Sequence, residues 1–481
     1  MRIGLDQPAA RMSAQPLRRV AVVGSGIAGL GVAHALAGCA HVTLYESAKR
    51  FGGHSHTVDV TVGAVTHPVD TGFLVLNERT YPNLLRLYAR LGVELAPSEM
   101  SFSVQVREQD LEWSGADFAG VFAQRRNAIR PRFWRMLTDV LRFNRLATRL
   151  AQGRPGMAEG LPDQSIGDFL DQHRFSRPFR DWYFLPMIGA IWSCSTDQML
   201  DFPVATLIRF CDNHGLIQIA NRPQWYTVRG GARRYVAKML AAIPDARLDG
   251  PVRRVARSPA EGRGTASVLV TTDSGTECFD DVVMACHSDQ SLALLADPTL
   301  AEREVLGAIR YQSNRAVLHT DSTLLPQRRG AWAAWNYEHA AGAAHGAAPV
   351  CLHYLINRLQ PLPFDAPVIV SLNPVRQPRP NLVQGEFDYE HPVFDAGAIA
   401  AQSRVPYLQG IGNVWYCGAW TRYGFHEDGL VSALAVCAGL HARWGSAQDG
   451  AVNPIGLGDA DAGRSLDNAM AGAACIDLTP A

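Results

Sequence analysis

The residues best placed to do chemistry sit near the start of the chain. Gly24-Ser25-Gly26-Ile27-Ala28-Gly29 follows the β-branched run Arg19–Val23 and opens an apolar stretch that stops at Gly38. In this spacing the first glycine makes a tight turn, the second lets backbone approach a pyrophosphate, and the third lets a helix pack closely on a strand. The positive end of that helix then faces the phosphates. Glu46, followed by Ser47, closes a second predicted strand, 42–46. A carboxylate there accepts both ribose hydroxyls and repels a 2′-phosphate, so a dinucleotide other than NADP is predicted. Two imidazoles, His54 and His56, stand directly behind the pair Gly52-Gly53. Imidazole can hold or pass a proton near neutral pH. Without carboxylates beside them a metal site is not predicted.

These residues need a βαβ unit to position them, and the run 19–46 supplies one. Short strands are predicted over 58–76 and a helix over 81–91, closed by Gly92. Residues 116–185 read as helical and Arg-rich, and 207–216 as a helix. Strand–helix–strand character returns over 225–290. Apolar–polar alternation over 310–375 predicts antiparallel strands. A strand over 414–417 precedes a helix over 430–444. Residues 1–16 and 446–481 are predicted to be a disordered extension and tail.

Composition narrows the function classes. The chain has 481 residues, 47% hydrophobic and 19% charged, with 45 basic and 45 acidic side chains. Two or three globular domains are expected. A strongly basic nucleic-acid binder and a wholly disordered chain are excluded. No run reaches the ~18–20 apolar residues that span a bilayer. Lysine occurs only at Lys49 and Lys238, a bias expected of a GC-rich bacterial genome, and it removes almost every candidate catalytic lysine. Nine cysteines without a C-x-x-C pair, and no secretory leader, point to a reducing cytoplasm.

Further motifs follow in order: Val69-Asp70-Thr71-Gly72-Phe73, Val228-Arg229-Gly230-Gly231-Ala232, Val252-Arg253-Arg254-Val255, Tyr416-Cys417-Gly418-Ala419-Trp420, and His426-Glu427-Asp428-Gly429-Leu430-Val431-Ser432. With the paired glycines at 52–53, this ordered set resembles the amine-oxidase and phytoene-desaturase flavoproteins. The resemblance implies FAD as cofactor and an α/β fold, with a Rossmann-like FAD-binding domain from 17–75, 222–290 and 405–445. A discontinuous α+β substrate domain would take 76–221 and 291–404. It implies cofactor contacts at Gly24 through Gly29, Glu46, Ser47, Gly52, Gly53, His54, Thr71, Gly72, Phe73, Val252, Gly418, Asp428, Gly429, Leu430 and Ser432. The words GGHSHT, VDTGFLVLN and GFHEDGL resemble a bacterial subgroup found beside, or fused to, cyclopropane-fatty-acid-type methyltransferases. That implies such a methyltransferase as partner and a fatty acyl chain as substrate.

Departures from the family pattern carry information. Amine oxidases of this fold hold a lysine near the flavin, and the matching segment here, Tyr311 to Leu318, places Arg315 there. Arginine stays protonated and cannot act as a base, which argues against ordinary amine oxidation. His54 replaces the family's arginine after the glycine pair. Either His54 and His56 stabilise reduced flavin, shuttle a proton or bond FAD covalently, or they bond only backbone and cofactor. Tyr416, Trp420, Tyr423 and Phe425 would form an aromatic cage by the flavin or pack in the core, and Asp428 would cap a helix. Cys194 has no activating neighbour.

Residues 122–150 hold eight arginines and one acid, Asp139. Phe133, Trp134, Leu137, Val140 and Leu141 are predicted to share one helix face. Two roles remain open for it, a membrane-surface element or a substrate-domain helix with a solvated Arg face. The expected activity is hydride transfer from a substrate carbon of an unsaturated or methylated acyl chain to flavin. The alternatives are a redox-neutral fatty acid isomerase or hydratase, a carotenoid- or protoporphyrinogen-type desaturase, an amine oxidase, and a non-catalytic flavoprotein partner of a methyltransferase.

Overall fold

The computed structural model describes residues 17–152, 164–218, 222–258, 267–339 and 349–445. The predicted N-terminal extension and C-terminal tail lie outside them.

A five-stranded parallel sheet forms around Arg19–Val23. His41–Tyr45 and Asp245–Arg247 lie on one side of it, and Asp281–Met284 and Val414–Tyr416 on the other. Its central strands are buried on both faces, so they read as continuous apolar runs rather than alternations. Helix Ile27–Leu36 covers one face. Helix His426–Trp444 packs on it where Gly31 meets Leu430 and Ala433, at 3.1 Å from an ideal Cβ. Both helices begin earlier than their apolar runs suggest, because glycines occupy their first turns. Helix Pro82–Leu91 ends as predicted, with Gly92 at φ +59°.

A seven-stranded sheet stands opposite. Its order is Val383–Val393, Arg310–His319, Ile369–Leu372, Cys351–Leu355, Trp335–Glu338, Phe102–Val106 and Leu111–Ser114. Most pairs are antiparallel, as the alternation over 310–375 predicts, but Trp335–Glu338 runs parallel to Phe102–Val106. The long strand Val383–Val393 and the pair at 102–114 are elements the sequence reading did not resolve. Helices between 118 and 213 close one flank through an aromatic cluster that includes Phe143, Phe169, Phe179 and Phe184.

Helix Pro131–Gln152 corrects the expected face. Phe133, Met136, Phe143 and Ala147 are fully buried, and Leu137 and Val140 pack beside them. Trp134 and Leu141 point the other way, into solvent. At about 100° per residue, Phe133 and Trp134 cannot share a stripe. Among the described residues no helix is long and apolar enough to cross a membrane.

Candidate functional site

The glycine loop is built as its spacing requires. Gly24 has φ +103°, and a Cβ there would stand 3.0 Å from the Ala285 carbonyl oxygen. A Cβ on Gly29 would fall 1.8 Å from the Gly24 oxygen, so only glycine lets helix and turn meet. Gly26 begins the helix with nothing within 4 Å of its Cβ direction, which leaves open space at the helix N-terminus. Ile27 and Ala28 turn into the core. Glu46 accepts from the Ser25 amide at 3.0 Å and the Ala48 amide at 2.8 Å, beside exposed Ser47.

Residues 52–56 fold back over this loop. Gly52 donates to Ser25, and a Cβ on Gly53 would come 3.1 Å from Gly26 Cα. Thr71, Gly72 and Phe73 strap the same segment: Thr71 donates to His56 O at 2.9 Å and Phe73 to His54 O at 2.8 Å. A side chain on Gly72 would strike the His54 carbonyl at 2.2 Å. The closing motif completes the wall. Gly418 N donates to the Ser432 hydroxyl at 2.9 Å, and a Cβ on Gly429 would meet Ile27 at 2.8 Å. Asp428 accepts from Phe425 N at 3.0 Å and so caps its own helix, as predicted. Burial lifts its pKa to about 7. Val252 starts a separate three-stranded sheet beside the second strand, at a bulge.

Three buried carboxylates border the region, and all three serve as caps or anchors. Besides Asp428, Asp70 accepts from Thr57, the Ala232 amide and Gln360, and burial raises its pKa to about 6. Glu427 accepts from Asn83 N at 3.0 Å, Asn83 Nδ2 at 2.7 Å and Leu84 N at 2.9 Å. It thereby supplies the acceptors that the start of helix Pro82–Leu91 lacks.

Five histidines converge on this wall. The His54 ring lies 5.2 Å from both Tyr389 and His391, and His56 Nδ1 stands 2.9 Å from the Tyr389 hydroxyl. His426 stacks on Phe73 at 3.7 Å and reaches Ser55 Oγ at 3.0 Å. His287 stacks on Tyr311 at 4.3 Å, with Nδ1 3.4 Å from the Glu390 carboxylate. Burial lowers all five pKa values: His391 and His56 to about 4, His426 to about 3, His287 against the pull of Asp289 and Glu390, and His54 well below its ordinary 6.5. The cluster is therefore neutral at pH 7. A neutral imidazole brings a dipole and a proton site to this wall, not the cationic charge that would stabilise an anion.

His287 and His391 were missed by sequence reasoning. His287 lies just past the carboxyl end of a parallel strand, where ligands of such sheets bind. His391 shares the alternation Phe387, Tyr389, His391 on an unrecognised strand. Asn314, diagonally across the ladder and opposite Tyr389, donates to His391 Nδ1 at 3.1 Å, which leaves the ring proton on Nε2.

Two expectations are corrected. Arg315 does not enter the site. Its guanidinium bonds Glu386 at 2.8 Å and Gln377 at 2.7 Å on the half-exposed face of the strand. Side chains alternate along a strand, so Asn314, one residue earlier, faces the histidines instead. The aromatic cage is also divided. Trp420 is buried in the core beside Tyr416 and Val252 and donates to the Cys286 carbonyl at 3.2 Å. Tyr423 and Phe425 pack instead against Phe210 and Trp192. Both lysines lie elsewhere: Lys238 Nζ bonds the Leu91 and Gly92 carbonyls, and Lys49 is exposed. The Cys194 thiol is pushed up to about 12 by burial and stays protonated.

One observation tests the fit of FAD directly. His54 Nε2 is fully buried without a hydrogen-bond partner among the described residues, one residue after Gly53, which packs on Gly26. An orphaned polar atom at that place fits a bound cofactor. A second cluster, Glu338, Cys351 and His353, brings metal-ligand types within 4.8 Å of one another on the seven-stranded sheet. Its carboxylate is already bonded by Arg107 and Arg376, so a cation would face two guanidinium groups.

Known structures share the fold. A conjugated-linoleic-acid-producing fatty acid isomerase from P. acnes is 16% identical, covering 86% of this chain and 97% of its own at TM-score 0.61. Cyclohexylamine oxidase from Brevibacterium oxydans is 16% identical (88% and 100% covered, TM-score 0.61). A redesigned putrescine oxidase is 14% identical (89% and 100% covered, TM-score 0.61). The family model for flavin containing amine oxidoreductase matches residues 27–336, more than half of the chain. With the glycine loop, the strap and the closing helix packed together, the chain belongs to the flavin containing amine oxidoreductase family and is an FAD-dependent oxidoreductase.

Proposed function

We propose that the substrate is an unsaturated or methylated fatty acyl chain, oxidised at carbon. The observation that supports this reading best is the character of the wall. It carries neutral imidazoles, Asn314 and Tyr389, while the buried carboxylates Asp70, Glu427 and Asp428 are consumed by backbone amides or neighbouring side chains, and Glu390 is half-exposed beside His287. Such a wall offers an ammonium ion no buried counter-charge and suits an uncharged chain. Neither lysine is near enough to act as amine oxidases use theirs.

When bound, FAD supplies the hydride acceptor. Gly24 to Gly29 and the helix start hold the pyrophosphate, Glu46 the ribose, and residues 52–54, 71–73 and 418–432 the remainder. His54 is placed to hold or move a proton at Nε2. His391, fixed by Asn314, orients its own Nε2–H. Tyr389 positions His56 and Thr71 by hydrogen bonds. A fatty acid isomerase with this fold supports a redox-neutral reading second, and a neighbouring cyclopropane-synthase-type methyltransferase is proposed as the source of a methylated chain.

The test is an anaerobic flavin spectrum with a panel of acyl lipids and amines. Bleaching of the oxidised band by an acyl lipid alone supports the oxidase. Lipid turnover without bleaching favours the isomerase, bleaching by amines overturns the substrate class, and no response to either favours a non-catalytic methyltransferase partner.

A further inference from the structure

Away from the flavin wall, three elements bring apolar side chains to the surface at one place. Phe118, on helix Phe118–Val121, is 81% exposed, and Ile129, in the turn Arg125–Ile129, is 82% exposed. Trp134, in the first turn of Pro131–Gln152, is 50% exposed. They are held together. The Phe118 ring lies 5.1 Å from Phe122, whose ring lies 5.6 Å from Trp134. The Trp134 indole donates to the Ala128 carbonyl at 2.8 Å, which fixes the turn carrying Ile129. Along the helix, Trp134, Thr138, Leu141, Arg145 and Arg149 form one solvent-facing stripe, with Leu141 44% exposed.

The charge around this patch is predominantly positive. Arg125, Arg145 and Arg149 are exposed with no acid partner among the described residues, and exposed Arg132 and Arg135 flank them. Arg329 joins the rim, because Gly330 packs on Ala123. Nearby acids are engaged: Asp139 is buried against Arg135, Arg142 and the Ser176 amide, Asp110 pairs with Arg126, and Asp117 caps the Gly120 amide.

An aromatic and aliphatic tip ringed by exposed guanidinium groups matches the boundary of an anionic bilayer. There, rings sit among the headgroups and arginines meet lipid phosphates. We propose that this surface seats the protein on an anionic membrane, with Phe118, Ile129 and Trp134 entering the headgroup layer. The inner side of the same helix packs through Phe143 into the cluster that continues to Tyr423 and Phe425, so the seated face and the closing motif share one packed body. The proposal stands without the acyl-chain assignment.

The test is co-sedimentation of the FAD-loaded protein with vesicles of phosphatidylcholine alone or mixed with phosphatidylglycerol. Pelleting with the anionic vesicles is expected, at least about tenfold stronger than with neutral ones and weakened by salt. The triple variant Phe118→Ser, Ile129→Ser, Trp134→Ser and the charge variant Arg125→Glu, Arg145→Glu, Arg149→Glu should each lower partitioning about tenfold or more. Both alter exposed positions, and retained flavin absorbance checks their folding. Failure to pellet with either vesicle overturns the proposal, as does pelleting that neither variant changes. A dimer in solution that the apolar variant splits also overturns it, because a second copy then covers the patch. Vesicle binding without flavin reduction by any lipid leaves this surface standing and removes the substrate reading alone.

Discussion

The seven-stranded sheet carries two buried histidine clusters with opposite charge states. At one edge His391 sits beside His54 and His287, and burial holds the group neutral. Toward the middle, His353 is equally buried. Burial works against its charge, yet the Cys351 sulfur and the Glu338 carboxylate, 3.0 Å away, outweigh it and lift the pKa to about 9. Glu338 is itself held down to about 2, against its burial, by His353 and Arg376. Ser371 bridges His353 to His319, which burial and the neighbouring charge lower to about 4. Burial alone thus neutralises an imidazole, and a buried carboxylate committed to it reverses the outcome. In the site cluster Asp70, Glu427 and Asp428 are bound elsewhere, and Glu390, half-exposed and 3.4 Å from His287, does not outweigh that ring's burial. One cluster is a closed ion network, and the other keeps an unsatisfied nitrogen for a ligand.

The contrast breaks most sharply at Glu338. Glu338→Gln leaves His353, Arg107 and Arg376 facing a neutral amide, and removing one partner of a buried pair costs about 3–5 kcal/mol. Urea unfolding should register that loss, and an unchanged midpoint would mean that the network is not closed. His54→Ala should do the reverse. Unfolding should shift by less than about 1 kcal/mol, because Nε2 has no protein partner to lose, while the rate of flavin reduction falls about 10²-fold or more. Equal damage to both quantities would make His54 structural.

The third prediction concerns protons. The folded state binds fewer protons at His391 than the unfolded chain between its ordinary pKa of 6.5 and about 4. Stability at this residue is therefore intact above pH 6.5 and declines as pH falls through that window. His391→Asn removes the contribution, so its melting temperature should drop less than the parent's between pH 7 and pH 5. The difference corresponds to at most about 2 kcal/mol. Parallel pH curves for the two proteins would refute the neutral assignment. The smallest expected effect is that of zinc. Added zinc or a chelator should leave the melting temperature of the parent unchanged, since the guanidinium groups already occupy the Glu338 carboxylate. A zinc-dependent rise would turn that cluster from an ion network into a metal centre.

The two halves of the active region differed in how plainly the sequence displayed them. The loop at 24–29, Glu46 and the closing motif could be read because their constraints are local: a turn, a close helix approach and a cap fall within a few residues. The histidine wall could not. His391 and Asn314 meet only when strands Arg310–His319 and Val383–Val393 pair. Placing Arg315 inward was an error of one residue, which on a strand is an error of a whole face. Trp134 and Leu141 were placed on one face with Phe133, Leu137 and Val140 because apolar type was weighed above helical angle. Trp420 was assigned to a cage because motif adjacency does not say which side of the sheet a ring will take.

The bond from Glu427 to the start of helix Pro82–Leu91 also has a consequence in time. Asn83 and Glu427 are 344 residues apart. At roughly 5–20 residues per second of synthesis, roughly 20–70 s separate the helix from the carboxylate that caps it. The parallel sheet waits equally long for its edge strand Val414–Tyr416. The nascent chain must therefore carry an uncapped helix and an open sheet edge through most of its translation. Chaperone occupancy of the ribosome-bound chain should persist until residues 414–432 emerge.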